Sequence, residues 1–242
     1  MQIISVIIPF YREIDLIRRA VKSVCVQDLE SEYELEILIV NDGNYDNSNI
    51  LHQVADLSPC VHVLLNDSGL NGAGPARNVG IDASRGEILC FLDADDYWLP
   101  GKLQAQLKHI KDFNFIPCCY ILNDKKVLPP AAINDAYHLL CNSNIGTSSV
   151  MLKKELLGEC RFSSREFSQD TELWGRLADK PNFLFMSVSI PFVVYEPSDR
   201  TKNKLIQLLN FIKLVNSFDF ALLKKCTIIV KYSSNGLLRH YL

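Results

Sequence analysis

No stretch of about 18 or more uncharged apolar residues occurs in the chain, which excludes a membrane-spanning helix of the usual length. There is no C-x-x-C, and the eight cysteines (25, 60, 90, 118, 119, 141, 160 and 226) show no spacing of the zinc-binding kind. Several sit in apolar runs, as reduced thiols packed like small hydrophobes do in a cytoplasmic protein. The five histidines form no H-E-x-x-H and no i, i+4 pair, which removes the common helical zinc site. G-x-S-x-G, the Walker A lysine motif and G-x-G-x-x-G are all missing. With them go the nucleophile elbow, the P-loop and the dinucleotide fingerprint. A positive excess is missing as well: a formal net charge of -3 makes the chain as a whole a poor nucleic-acid binder. The opening MQIISVIIPF has neither a basic n-region nor a small-residue cleavage site, so it is read as a first strand rather than a signal peptide. Internal repeats and low-complexity segments do not occur.

What is present is enough chain, 242 residues, for one large α/β domain, or one domain with a small appendage, without disulfide staples. The charge is uneven. From Arg200 onward eight Lys and Arg face one Asp, so the tail carries +7 and the preceding body -10, against -3 overall. The expected division is a catalytic body over 1–198 and a basic, amphipathic, helical extension over 199–242.

The first hundred residues alternate between short β-branched runs and helical patterns, the written form of a parallel sheet with crossover helices. Strands are expected at 4–10, 35–42, 61–66 and 87–93, helices at 13–27 and about 46–57, and a third helix opening at Pro75. Near-continuous apolar strands imply a doubly wound, mostly parallel sheet covered on both faces. Such sheets bind ligands at the carboxyl ends of their strands. The polar residues fall there: Tyr11 and Glu13 after the first strand, Asp42 after the second, and Asp93, Asp95 and Asp96 after the fourth. Beyond residue 98 the pattern predicts a helix over 99–113, a strand within 113–122, a strand running into a helix over 146–157, and a helix over 168–179 with Ser168 as its cap.

Three carboxylates within four positions at the end of a buried strand need something to offset their charge. Asp93 and Asp95 flank one small residue, Ala94, so both can face a cation through oxygen, as magnesium and manganese prefer. The plain alternative is an acidic turn before a helix.

The surroundings weigh toward the first reading. NGAGPARNVGIDASRGEILCFLDADDYW (71–98) resembles the nucleotide-sugar signature of family-2 type glycosyltransferases of the GT-A fold, in which a glycine-bearing loop and an A-R-N helix precede a strand ending in D-x-D-D. SVIIPFYRE (5–13) is similar to that family's first strand and nucleotide-contacting turn. ILIVNDGNYDNS (37–48) is similar to its second strand with the base-binding aspartate and a Ser/Asp-rich turn, and SQDTELWGRLA (168–178) to its catalytic-base helix. The resemblance spans roughly residues 3 to 195.

The resemblance implies a GT-A fold, a UDP-sugar donor, a divalent cofactor (Mn2+ or Mg2+) and an inverting transfer to a saccharide acceptor, lipid-linked, in bacterial surface-polysaccharide assembly on the cytoplasmic side of the membrane. It also implies roles residue by residue. Pro9, Tyr11 and Glu13 line the nucleoside pocket and Asp42 bonds the uracil ring. Asn71, Gly72, Arg77 and Ala94 lie along the nucleotide sugar, Asp93 near the ribose, and Asp95 is the main protein ligand of the metal. Asp170 is the base, with Glu172 and Glu166 as alternatives. The family usually shows Glu-Asp where this chain has Gln169-Asp170. Rival readings are a sugar-nucleotide nucleotidyltransferase, disfavoured by the lack of a Gly-rich, Lys/Arg-bearing first turn, and a non-catalytic nucleotide-sugar-binding protein. For the tail two readings stand side by side: contact with an anionic membrane surface, or packing on the body with its lysines solvated or used in a homodimer.

Overall fold

The computed structural model of the chain describes residues 1–43, 48–142, 144–165, 167–196 and 204–241. Its first half follows the expected alternation: β1 (Gln2–Phe10), α1 (Ile14–Cys25), β2 (Tyr33–Asn41), α2 (Ser48–Ala55), β3 (Val61–Leu65), α3 (Ala73–Ala83) and β4 (Ile88–Phe91). These four strands run parallel in the order β3-β2-β1-β4. Since β1 pairs with β2 on one side and β4 on the other, the order reverses there. A crevice therefore opens at the carboxyl ends of β1 and β4.

Successive side chains of a strand face opposite ways. Ile4, Val6 and Ile8 enter one core with Ile17, Val21 and Val24 of α1. Ile7 enters a second core with Ile81 of α3 and Leu89 and Phe91 of β4. Both faces are covered, which is why β1 reads as an unbroken apolar run.

The second half is mixed. It comprises β5 (Tyr97–Trp98), α4 (Lys102–Leu107), β6 (Phe115–Leu122), β7 (Lys125–Val127), α5 (Ala136–Cys141), a 3-10 turn (Thr147–Ser149), β8 (Val150–Lys153), α6 (Lys154–Leu157), α7 (Gln169–Ala178) and β9 (Val188–Tyr195). Two long helices, α8 (Lys204–Asn216) and α9 (Leu222–Tyr241), follow. Strand β8 runs antiparallel to β4 and to β6, while β9 runs parallel to β6 and antiparallel to β5. The consequence is topological: β8 begins where β4 ends, and β9 ends at that same side. Residues 147–149 and 195–196 are thereby delivered to the crevice.

Several boundaries differ from expectation. The helix predicted over 99–113 is confined to Lys102–Leu107, because Gly101 stands left-handed at φ +86° and turns follow residue 107. Helix α3 opens at Ala73 rather than Pro75. Ser168 sits at the cap position of α7 but at φ +58° and makes no side-chain cap bond. The short elements β5, β7 and α5, and the strand β9, were not anticipated. The Ser/Asp-rich turn at 44–47 and the 198/199 boundary lie outside the described residues.

The two C-terminal helices share the second core: Phe211, Leu214, Val215, Phe218 and Ile228 pack with Trp174 and Leu177. Gly175 is where they meet, for a Cβ there would stand 2.7 Å from the Phe218 ring. Among the described residues no helix is long and apolar enough to cross a membrane.

All eight cysteines are free thiols, and most serve as apolar filling. Cys226 is exposed, and the pKa of the Cys60 thiol is lowered to about 6 by hydrogen bonds with the Cys25 thiol and with Ser58, whose Oγ lies 3.2 Å from its sulfur.

Away from the crevice, buried Glu36 ties β1, β2 and the approach to β4 together. Its Oε2 accepts from Ser5 Oγ (2.5 Å) and Arg85 N (3.0 Å), and its Oε1 accepts from Arg85 Nε (2.6 Å). Burial pushes the Glu36 carboxyl up, but the bonds from Arg85 and Ser5, with the Arg85 charge, outweigh this and hold it below its ordinary value. A carboxylate depressed in the folded chain contributes stability that is complete above its unfolded pKa of about 4.3 and is lost as pH falls through the lower folded value. Glu36→Gln is therefore expected to be less stable than the native chain by about 1–2 kcal/mol at pH 7, and by less and less below pH ~4.3. Calorimetry of both proteins from pH 7 to pH 3 checks this; a constant gap would show that the ionised form is not what stabilises.

Candidate active site

Strand β1 ends in buried Pro9 and Phe10, with Pro9 in register with Val40 of β2. The turn that follows is closed by Glu13. Its Oε2 accepts from the N–H groups of Tyr11 (3.0 Å) and Arg12 (2.9 Å), and its carbonyl accepts the Ile17 N–H that opens α1. The Arg12 guanidinium covers the Tyr11 ring at 4.5 Å and donates to its hydroxyl.

Asp42, one residue beyond β2 and buried, gathers three elements. Its backbone N–H donates to Phe10 O, its Oδ1 accepts from Asn66 Nδ2 (2.5 Å) at the end of β3, and its Oδ2 accepts from Gly72 N (2.6 Å). Gly72 occupies the position before α3 at φ +113°, which a side chain would make strained. Asn71 beside it is exposed. One turn into α3, buried Arg77 pairs with Asp93 and lies 5.2 Å over the Phe162 ring.

At the end of β4 the neighbouring carboxylates Asp93 and Asp96 go to different partners. Asp93 takes Arg77. Asp96, buried, accepts Ser148 Oγ on Oδ2 (2.6 Å) and Glu196 N on Oδ1 (3.1 Å). Burial, with the charges of Asp93 and Asp95, pushes the Asp96 carboxyl well up. Asp95 stays half-buried; its carbonyl accepts from Arg19 Nη2 (2.7 Å), and Arg19 pairs in turn with Glu196 (2.6 Å). Ala94, between the first two carboxylates in sequence, is buried.

Asp170 stands in the first turn of α7. Its Oδ1 accepts from Thr171 N (2.7 Å) and its Oδ2 from Thr147 Oγ1 (2.9 Å). Trp174, four residues on and so on the same face of the helix, is buried among Phe91, Phe115 and Phe162, with ring centroids 5.9, 5.1 and 5.6 Å away. This aromatic cluster clamps α7 to β4. Gln169 seats its Oε1 where a Cβ on Gly74 would come within 2.0 Å. Gly74 is thus a close-approach residue between α3 and α7. Glu172 is spoken for by Arg165 (2.8 Å) and Ser163 Oγ (2.7 Å). Glu166 lies outside the described residues.

Residues 5–156 match glycosyl transferase family 2. The chain belongs to that family. Among curated proteins it is similar to the amylovoran biosynthesis glycosyltransferase AmsB of Erwinia amylovora, 33% identical over 211 residues, 79% of this chain and 68% of the relative. It is also similar to the Escherichia coli UDP-Glc:alpha-D-GlcNAc-diphosphoundecaprenol beta-1,3-glucosyltransferase WfaP, 24% identical over 251 aligned positions, 99% of this chain and 96% of the relative. Among solved structures it resembles S. aureus TarS 1–349 in complex with UDP-GlcNAc (17% identity, TM-score 0.68, 95% of this chain and 70% of that one). The mannosyltransferase PcManGT of Pyrobaculum calidifontis, in complex with GDP-Man and Mn2+, is comparable (17% identity, TM-score 0.70, 95% and 68%). At such identities the structures speak for the fold alone, and that fold is GT-A.

For this glycosyltransferase the donor chemistry suits a hard divalent cation. The strand-end set is carboxylate oxygen only, and a magnesium- or manganese-type ion on a diphosphate needs just one or two protein carboxylates besides phosphate and water. Among the described residues no three His, Cys, Asp or Glu form a cage that would hold a metal without substrate. Of the three strand-end carboxylates Asp96 is withdrawn against Ser148, Asp93 pairs with Arg77, and Asp95 is half-buried at the same turn.

The sequence missed Thr147, Ser148, Tyr195, Glu196 and Arg19. Their partners lie 23 to 177 residues away, so no local spacing could announce them.

Proposed function

We propose that the chain is a metal-dependent, inverting glycosyltransferase that moves a hexose from UDP to an acceptor hydroxyl. The single observation carrying this is a contrast between two carboxylates of α7: among the described residues Asp170 accepts from the hydroxyls of Thr147 and Thr171 and a backbone N–H, whereas Glu172 is paired with Arg165. A carboxylate that is not tied up in an ion pair is available to take a proton from a bound hydroxyl. Asp170 takes the acceptor proton on one side of the anomeric carbon, and UDP leaves on the other, so one displacement inverts the centre. When bound, the divalent ion offsets the charge that develops on the diphosphate, which makes a protonating acid unnecessary. Asp95 holds that ion, Asp93 and Arg77 sit at the ribose and phosphates, and Asp42, with the turn Pro9–Glu13, forms the nucleoside pocket.

The acceptor is a lipid-linked saccharide of surface-polysaccharide assembly, met at the cytoplasmic face of the membrane. Names of the relatives support this setting. So do the apolar residues Leu205, Ile206, Leu209, Leu222 and Leu223, exposed on the C-terminal helices that also carry Lys213 and Lys224.

One experiment tests the whole reading: UDP release from a panel of UDP-hexoses, with and without Mn2+, on anionic vesicles carrying a diphosphate-lipid-linked GlcNAc. Metal-stimulated release, with enzyme that sediments with the vesicles at low but not high salt, is expected. Absence of release from every donor would refute the transferase reading. Release from enzyme that never sediments would refute only the membrane contact.

A further inference from the structure

The 3-10 turn at Thr147–Ser149 belongs to neither the donor pocket nor the base helix, yet it touches both. Ser148 is fully buried and spends every polar group on the donor side. Its N–H donates to Tyr195 Oη (2.9 Å), and its carbonyl accepts from Trp98 Nε1 (3.0 Å). Its Oγ donates to Asp96 Oδ2 (2.6 Å) while accepting from Asp93 N (3.0 Å). The turn is pressed tightly into place, since a Cβ on Gly146 would stand 2.2 Å from Tyr195 Oη. Thr147, the next residue along and also buried, directs its hydroxyl the other way, to Asp170 Oδ2 at 2.9 Å.

A continuous chain of bonds thus runs from the backbone of Asp93, through Ser148 and Thr147, to the carboxylate of Asp170. We propose that Thr147 is a positioning residue, which holds the Asp170 carboxylate in register with the donor-side carboxylate turn. This rests on the reading of Asp170 as the base. The physical case is orientational. With Oδ1 held by the Thr171 N–H and Oδ2 by Thr147, the carboxylate plane is fixed at both oxygens. Oδ1 also accepts from Thr171 Oγ1 (3.3 Å), and Oδ2 still has a second lone pair for an acceptor hydroxyl. A base held in one orientation avoids the cost of finding it at the moment of reaction, and small misplacements are expensive.

The test is a set of four variants assayed with UDP-glucose, Mn2+ and a diphosphate-lipid-linked GlcNAc. Thr147→Val keeps the shape but removes the donor. It is expected to lower kcat by about 10- to 100-fold, the worth of a hydrogen bond to a charged group, with the KM for donor and the affinity for UDP unchanged. Thr147→Ser should recover to within about threefold of native, since it restores the hydroxyl. If Thr147 acts through Asp170, Thr147→Val added to Asp170→Asn should cost nothing more. A spectroscopic reading needs no turnover. The carboxyl carbon of Asp170, identified in 13C-aspartate-labelled protein by its loss in Asp170→Asn, should shift in Thr147→Val and return in Thr147→Ser.

Native kcat in Thr147→Val, a Ser variant as slow as Val, or an equal further loss in the Asp170→Asn background would each overturn the proposal. Were Asp170→Asn itself to transfer at the native rate, the base assignment would fall and this inference with it. A slow Asp170→Asn beside a native Thr147→Val would sink the inference alone.

Discussion

Asp170→Asn is expected to lower the transfer rate by about 10³-fold while UDP affinity in the presence of Mn2+ stays within a factor of about two. The substitution is isosteric: the amide oxygen still accepts from Thr147 or from Thr171. What disappears is a group able to take a proton. Trp174 anchors the helix from below and is untouched, so the fold should survive, as a melting curve will show. Asp170→Asn with native turnover would move the base elsewhere. Glu172→Gln is then informative, since its Arg165 and Ser163 partners assign Glu172 to holding the 163–165 segment.

The second large effect belongs to Asp95. Asp95→Asn should weaken UDP binding in Mn2+ by about tenfold and reduce transfer by about 100-fold or more, because several kcal/mol of charge stabilisation depend on the ion it would hold. Metal-dependent titration of UDP and steady-state kinetics over a range of Mn2+ read both. The informative control is one residue away. Asp96→Asn makes the same chemical change in the buried junction: asparagine can accept the Glu196 N–H and donate to Ser148 Oγ, and because the Ser148 hydrogen then loses its acceptor the cost falls on stability. Its activity should remain within a few-fold of native. If Asp96→Asn proved as damaging as Asp95→Asn, the division of labour among the three carboxylates would be wrong.

Much of this was legible in the amino-acid order. The apolar runs of β1, β2 and β4 foretold strands buried on both faces, and Tyr11, Glu13, Asp42 and Asp93 stand where those strands stop. The four ordered motifs pointed to the family that residues 5–156 match. Less was legible beyond residue 98. Strand β9 is only partly buried and contains a proline, so its sequence carries weak strand periodicity. Helix α4 is short because of a left-handed glycine, a backbone state that composition does not announce. The tail looked equally suited to a membrane or to the body; its inner residues turned out to fit the core formed around Trp174.

Sequence alone determined the elements of the first half, the parallel half of the sheet, the carboxylates at its strand ends and the family. Those features are written in local periodicity and in short motifs, which need no knowledge of what lies across the fold. Tertiary structure alone decided which partner these carboxylates meet. It sends Asp93 to Arg77, buries Asp96 against Ser148 and pairs Glu172 with Arg165. It also lays Thr147 against Asp170. The physical reason is the antiparallel insertion of β8 beside β4: a strand that starts where its neighbour ends brings residues some fifty positions apart into hydrogen-bonding contact, and no spacing in one dimension encodes that pairing.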